Sequence, residues 1–528
     1  MFDKHHKKEN PTFTGITRGV GGFGFGVAAG AGDDLDDNTF VSTFGGNNSS
    51  YATNVRDLDV DSSGNIYVIG YVNYSYVTEG TDIYLIKYRK DGSVAWSKHL
   101  YAKSYGSDHD EGYKIKVGSS GDIFFSGTTR YQNFSGIGGW SNIVGKYNPS
   151  GVLQWLRVVG GNSDDEARAM ALDSSDNVYV GGMTYNVGST TFGLIVKYNS
   201  SGTLQWQRYM GNGGGASTWI YGMDLDSSGN IYVAGRHTPA GSSMRNYVGK
   251  YNSSGVRQWE RMINSNSASD AALSIDSSDN IYAVARSAYG SKYVVMKYNT
   301  SGTLQWQKDL ADSAGASVIL NDIYAAPDGY IYMTGGARIT SSDNSDDVIV
   351  IKIDSSGTII SQLGLGEVGY SNYQPTSRED RGYGIKVTND HIYVCGWTES
   401  IDTNSSPSTY HKGLVFKVPN DDGATLYGTY DTSANDGVTT SNLITYGGIG
   451  SVNGVDYMAK PQTTAYTLTT TTYSETSVTF YANGDASSYQ NEVNAASTFT
   501  DTAIDTAPTL YLIDGVTGYS AGPHPAFP

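Results

Sequence analysis

The residues most suggestive of chemistry are two copies of Asp-x-Asp-Ser-Ser-Gly-Asn, at Asp59 to Asn65 and Asp224 to Asn230, whose alternating oxygen side chains look like a calcium loop. Calcium takes about six to eight oxygens, usually with a further acid downstream. Here the fifth position is serine, apolar residues follow, and the matching stretches elsewhere read Ala171-Leu172-Asp173 and Ala325-Ala326-Pro327. A tight turn between two strands accounts for the motif better than a metal does. Other chemistry is equally thin. The single cysteine, Cys395, excludes a disulfide framework and every cysteine-cluster metal site, and none of the eight histidines forms a HxxxH or HExxH pair. The glycine run Gly211 to Gly215 lacks the Lys-Ser/Thr that completes a phosphate loop. No Ser-His-Asp order or carboxylate pair stands out from the 52 acids. The expectation is therefore no catalytic residue, no cofactor and no metal.

Charge narrows the partners. With 35 Lys+Arg against 52 Asp+Glu the chain carries −17 at neutral pH, so a nucleic-acid partner, which needs a basic face to release counterions, is not expected. No stretch approaches the roughly 18 apolar residues of a membrane helix, so insertion is not expected either. Lys4, Lys7 and Lys8 precede the run Gly21 to Gly32, which holds an Ala29-Gly30-Ala31 cleavage-like site. That run is nearly half glycine and weakly hydrophobic for a signal peptide, and we read it as retained.

The elements that position these residues come from a repeat. A triplet recurs at Ile66-Tyr67-Val68, Ile123-Phe124-Phe125, Val178-Tyr179-Val180, Ile231-Tyr232-Val233, Ile281-Tyr282-Ala283, Ile331-Tyr332-Met333 and Ile392-Tyr393-Val394. Each copy is followed by a lysine that ends an apolar run, at Lys87, Lys146, Lys197, Lys250, Lys297, Lys352 and Lys417. Residues 270–308 parse into strands A (271–275), B (281–285), C (293–298) and D (303–308), joined by Ser/Asp/Asn/Gly turns. Successive hairpins make a four-stranded meander, and meanders repeated about an axis make a propeller. The expected fold is all-β: a seven-bladed β-propeller over 37–432, an extended N-terminal anchor over 1–36 and a small Thr-rich C-terminal β-module over 433–528. Residues 39–46 are expected to pair with the seventh C strand near Leu414 to Lys417 and close the ring; Ala424 to Tyr430 competes for that place.

The repeated Asp-Ser-Ser-Gly-Asn-Ile-Tyr-Val (61–68 and 226–233) and Lys-Tyr-Asn-Ser-Ser-Gly followed by Gln-Trp (250–259) resemble the SBBP-type β-propeller repeats of bacterial surface and secreted proteins and phage structural proteins. The resemblance covers roughly 37–432 and implies fold far more than activity. Units six and seven depart from it, with Ile353 and Val418 replacing tyrosine and no Gln-Trp after them. Within the repeat, Trp96, Trp155, Trp206, Trp259 and Trp306 share one position in strand D. A repeated aromatic at a fixed strand position reads as a wedge between blades rather than as a ligand platform.

In such a blade the A–B and C–D turns share one rim, while the longer B–C and D–A loops share the other. The loop rim gathers the candidate binding residues: Tyr71, Tyr74, Tyr76, Tyr131, Phe134, Trp140, Tyr185 and Tyr289 from B–C loops, and Tyr105, Asp164, Asp165 and Trp219 from D–A loops. Aromatics with acids can stack on sugars or form a protein-binding surface. The Gly-rich 1–36 and the Thr-rich 433–528 hold an ordered form most readily against other chains. The resulting expectation is a non-enzymatic virion component, a phage tail or tail-fibre protein present in several copies. It would bind other structural proteins through 1–36 and 433–528, with the propeller facing a receptor, a cell-surface glycan or protein. A bacterial surface or secreted propeller is the alternative, and a propeller enzyme such as a lyase is the third class.

Overall fold

The computed structural model describes residues 24–28 and 40–45, then 51–420 apart from short stretches within the B–C and D–A loops, and short strands after 427 that end at Asp514. Seven antiparallel sheets carry the repeat, each with its strands in the order A, B, C, D, so the fold is an all-β seven-bladed propeller. Blade one is Tyr51–Val60, Ile66–Tyr74, Gly80–Tyr88 and Val94–Ala102. Blade seven takes Asp380–Val387, His391–Thr398 and Lys412–Pro419 from its own repeat. Its D strand is Phe40–Gly45, with Thr43 opposite Leu414 and Phe40 opposite Lys417. The ring is thus closed by the N-terminal side of the chain. Gly428–Tyr430 pairs instead with Ile444–Val452.

The turn rim is built by the motif that looked like a calcium loop. Asp61 Oδ1 accepts the backbone N–H groups of Ser63 and Asn65, while Oδ2 accepts the Asn65 amide and the Tyr67 hydroxyl. Asp173, Asp226 and Asp276 repeat the pattern. The carboxylate is occupied in holding a turn whose fourth residue needs a left-handed backbone, which is Gly64 at φ 79° in blade one and Gly229 at φ 75° in blade four. Asp176 and Asp279 take that conformation in blades three and five, and their carboxylates reach the Ser119 and Ser227 turns of the preceding blades.

Neighbouring blades bury their faces against each other. One core cluster joins Phe124, Val144 and Trp155 of blade two to Val178, Leu194 and Tyr198 of blade three. Another joins Val55, Val68 and Tyr88 of blade one to Tyr393, Cys395 and Val415 of blade seven. Full burial of such a side chain contributes about 1.5–3 kcal/mol, so closure rests on an interface as apolar as the others. The strand-D tryptophans sit at these interfaces. Trp155 is 5% exposed and Trp96, Trp206, Trp259 and Trp306 are half-buried. Indole Nε1 of Trp96, Trp155, Trp259 and Trp306 donates to the C–D turn carbonyl of the next blade, at Pro149, Ser200, Thr300 and Ser355, over 3.0–3.2 Å. The repeat lysines reach for the same turns: Lys87 donates to the Pro149 carbonyl at 3.2 Å, and Lys417 to that of Lys90 at 2.8 Å, which ties blade seven to blade one.

The two ends, where described, follow the outer edge of the ring. Gly24–Ala28 pairs with Phe40–Gly45. Val455–Pro461, Tyr466–Thr470, Glu475–Ser477, Thr500–Ala503 and Leu510–Asp514 pair with the D strands of blades six, five, four, two and one in turn. Most of 1–36 and 433–528 lies outside the described residues, including the anchor and module assigned to them.

Candidate functional site at the channel mouth

Strand A of every blade lines the central axis, and in six blades it is bulged at one position. The register skips Arg56, Tyr113, Arg168, Tyr221, Asn321 and Tyr383. An extra residue in one strand bends it and re-aims the side chain. The cause is legible in strand B. Four residues after the start of each triplet stands a glycine: Gly70, Gly127, Gly182, Gly235, Gly335 and Gly396. A Cβ there would meet a strand-A carbonyl at 1.6–2.1 Å. Only glycine lets the bulged backbone approach so closely. Blade five has Ala285 at this place, and its A–B pairing runs through 271–275 without a shift.

Four of the re-aimed residues, Arg56, Tyr113, Arg168 and Tyr383, meet at the loop-rim end of the channel. The Arg56 guanidinium lies over the rings of Tyr383, Tyr71 and Tyr113, at 4.6, 5.2 and 5.9 Å from their centroids, and donates to Tyr71 Oη at 2.7 Å. Arg168 lies over the other side of the belt, 4.4 Å from the Tyr113 centroid, and pairs with Glu166 at 2.7 Å. In blade four Tyr221 stacks on Trp219 at 6.2 Å, with Arg236 over the Trp219 ring at 4.3 Å.

Below this belt a cavity of about 290 Å³ runs along the axis, lined among others by Asp57, Asp59, Lys114, Asp224, Asp322 and Lys386. Lys386 pairs with Asp59 at 3.0 Å and Lys114 with Asp57 at 3.7 Å. Burial alone would raise the Asp59 carboxyl, but Lys386 and Lys116 outweigh it and hold it below the usual range. Burial likewise opposes the charge of Lys114, and Asp57 and Asp322 overcome it and raise its pKa. Burial prevails at Asp224 and Asp322, whose pKa values are raised. Each of the four acids also accepts a backbone N–H from strand A of a neighbouring blade: Asp57 from Ile115, Asp59 from Val117, Asp224 from Ile275 and Asp322 from Ile385, over 2.9–3.0 Å. These carboxylates staple the inner ring. No group of three or more His, Cys, Asp or Glu placed to hold a metal occurs among the described residues.

The residues singled out from the sequence fall into three sets. Tyr71 and Trp219 belong to the mouth. Trp140, Asp164, Asp165 and Tyr185 come together outside it: Asp164 Oδ1 accepts the Trp140 N–H at 3.1 Å, and the Asp164 carbonyl accepts that of Tyr185. Trp140 stacks on His109, Tyr185 is 44% exposed, and Asp165 is fully buried, so this acid faces the blade interior rather than a ligand. Tyr74 ends a B strand, and Tyr76, Tyr105, Tyr131, Phe134 and Tyr289 lie outside the described residues. Sequence reasoning missed Arg56, Tyr113, Arg168, Tyr221 and Tyr383.

Residues 205–236, from strand D of blade three into strand B of blade four, match the family described as SBBP, Beta-propeller repeat. A 164-residue stretch is 28% identical to the regulatory protein FlaEY of Caulobacter vibrioides; the match takes in 27% of this chain and only 16% of that protein's length. The fold is similar, at 9% identity each, to two crystal structures. One is a protein of unknown function from Dyadobacter fermentans (TM-score 0.39, covering 70% of this chain and 95% of that one). The other is the polysaccharide lyase Uly1 (TM-score 0.42, covering 69% and 90%).

Proposed function

We propose that this SBBP-repeat propeller is a non-enzymatic binding platform whose loop rim, with the Arg/Tyr mouth at its centre, faces the ligand. The observation that carries this reading is the use of the channel carboxylates. Asp57, Asp59, Asp224 and Asp322 each hold a neighbouring blade's backbone N–H, so the acids nearest the axis serve the ring. An acid or base for turnover needs freedom to exchange its proton with a substrate. The aromatic and cationic groups of the mouth instead offer contact area and orientation.

The setting we propose is a virion, with the chain as a tail or tail-fibre component that serves host attachment, present in several copies. Its support is the Gly/Thr/Tyr-rich composition with one cysteine and the three-part plan of the sequence. Partner chains would join through 1–36 and 433–528, whose described strands already cover the D-strand edges of six blades. The test is quantitative mass spectrometry of purified particles against the outer-surface fraction of host cells. Enrichment with particles supports the virion setting; recovery with the cell surface alone would replace it with a bacterial surface or secreted propeller. Shortening of any glycan incubated with the protein would refute the non-enzymatic part.

A further inference from the structure

Two arginines of strand A pair with an acid two residues before them, whereas Arg236 of strand B, over the Trp219 ring, has Ala234 at that spacing. Arg168 has Glu166 two residues before it and pairs with it at 2.7 Å, and Arg381 has Glu379 two residues before it and pairs at 2.6 Å. Tyr113 likewise donates its hydroxyl to Glu111. At the same spacing before Arg56 stands the neutral Asn54. Among the described residues no carboxylate lies within 4 Å of the Arg56 guanidinium, whose one hydrogen bond goes to Tyr71, and its Nε is buried with no partner. A guanidinium withdrawn from water without an anion is costly, and a carboxylate held by two parallel N–H bonds is the ligand that best offsets the cost.

We propose that Arg56 is the centre of a carboxylate-binding site at the channel mouth and that its ligand is an acidic sugar residue of the uronate type. This rests on the binding-platform reading above. One uncompensated positive charge suits a monoanion, and the −17 net charge of the chain disfavours a dianionic phosphate monoester. The rings of Tyr71, Tyr113 and Tyr383 around the guanidinium give flat apolar faces edged with hydroxyls, which suit a pyranose ring carrying both C–H faces and hydroxyl groups. Asn54 leaves vacant the carboxylate place that Glu166 and Glu379 fill for their arginines.

The test is calorimetric titration of the full chain with trigalacturonate, a neutral galactose trimer and a Glu-rich peptide as separate probes. Binding of trigalacturonate alone is expected, weakened at least about tenfold in Arg56→Gln, the loss of a charge-assisted hydrogen bond. Tyr71→Phe, which keeps the ring and removes the hydroxyl that accepts the Arg56 hydrogen bond, gives a smaller weakening and covers the case in which Arg56→Gln does not fold. Equal affinity in wild type and Arg56→Gln overturns the site while leaving the platform reading standing. Preference for the Glu-rich peptide overturns the sugar assignment, as does failure of trigalacturonate to bind. Arg56-dependent binding accompanied by cleavage of the trimer supports the site and refutes the non-enzymatic reading instead.

Discussion

Trp155 and Gly202 form one contact across the interface between blades two and three, and the two can be perturbed from either side. Gly202 sits at φ 75° in the C–D turn, and a Cβ added to it would lie 2.5 Å from the Trp155 ring. A left-handed backbone costs a residue with a Cβ about 1–2 kcal/mol, and forcing a methyl into a packed site costs about 1–3 kcal/mol more. Gly202→Ala is thus expected to destabilise by about 2–5 kcal/mol. Gly229→Ala is the control, because Gly229 has the same φ of 75° and nothing within 4 Å of the added methyl. It should show the backbone cost alone, about 1–2 kcal/mol. Trp155→Ala removes a 5%-exposed indole and its 3.1 Å bond to the Ser200 carbonyl, for about 3–5 kcal/mol. With the indole gone the methyl added at Gly202 meets open space, so Gly202→Ala in that background should fall to the Gly229→Ala value. The cycle predicts a coupling of about 1–3 kcal/mol. Urea unfolding at 25 °C followed by far-ultraviolet circular dichroism reads it. If Gly202→Ala costs the same in both backgrounds and no more than Gly229→Ala, the wedge argument fails.

The bulge argument predicts that Gly235→Ala, whose methyl would meet the Trp219 carbonyl at 1.9 Å, either flattens strand A of blade four or unfolds it. The expected loss exceeds about 3 kcal/mol in the same unfolding assay, and a neutral outcome would refute the role of the triplet glycine. Glu260 is 4% exposed and burial pushes its carboxyl up to about 7, against partial opposition from Tyr251 and Arg257. A raised folded-state value means the folded protein binds the proton more tightly. The associated stability is present below the unfolded value near 4.5 and lost as pH rises through about 7, by roughly 3 kcal/mol at most. Glu260→Gln should flatten the stability–pH curve in that window, and an unchanged slope would exclude Glu260 as its source. For ring closure, deletion of 1–32 leaves Phe40–Gly45 in blade seven and should preserve the melting temperature within about 2–4 °C. Deletion of 1–46 strips that strand from Lys412–Pro419 and should lower it well beyond this range in calorimetry.

The fold is legible in the sequence because its determinants are local and repeated. The Ile-Tyr-Val triplet, the Asp-Ser-Ser-Gly-Asn turn and the strand-ending lysine each recur at nearly constant spacing, and a meander needs only short-range pairing between them. Even the long-range closure by Phe40–Gly45 can be read, because TFVSTFGG has strand character and no blade of its own. The C-terminal segment offers no such handle. Its Thr-rich strands have period two but no partner in sequence, and five of them pair with D strands far upstream, which local patterning cannot announce.

The site is far less legible, and the reason is geometric. Loop aromatics such as Tyr185 and Trp140 stand out by composition, whereas the residues that converge on the axis lie inside strand A, where simple alternation gives no cause to expect them. What turns Arg56, Tyr113, Arg168 and Tyr383 toward one another is a bulge, and the bulge is written in a different strand, as the glycine that follows each triplet. Blade five demonstrates the dependence within the same chain: Ala285 replaces the glycine and the register runs on unshifted. Once the strand is known, Glu166 and Glu379, two residues before Arg168 and Arg381, become readable as their partners. Set beside the pairs Glu166–Arg168 and Glu379–Arg381, the neutral Asn54 before Arg56 is the feature from which we infer a counter-ion supplied by a ligand.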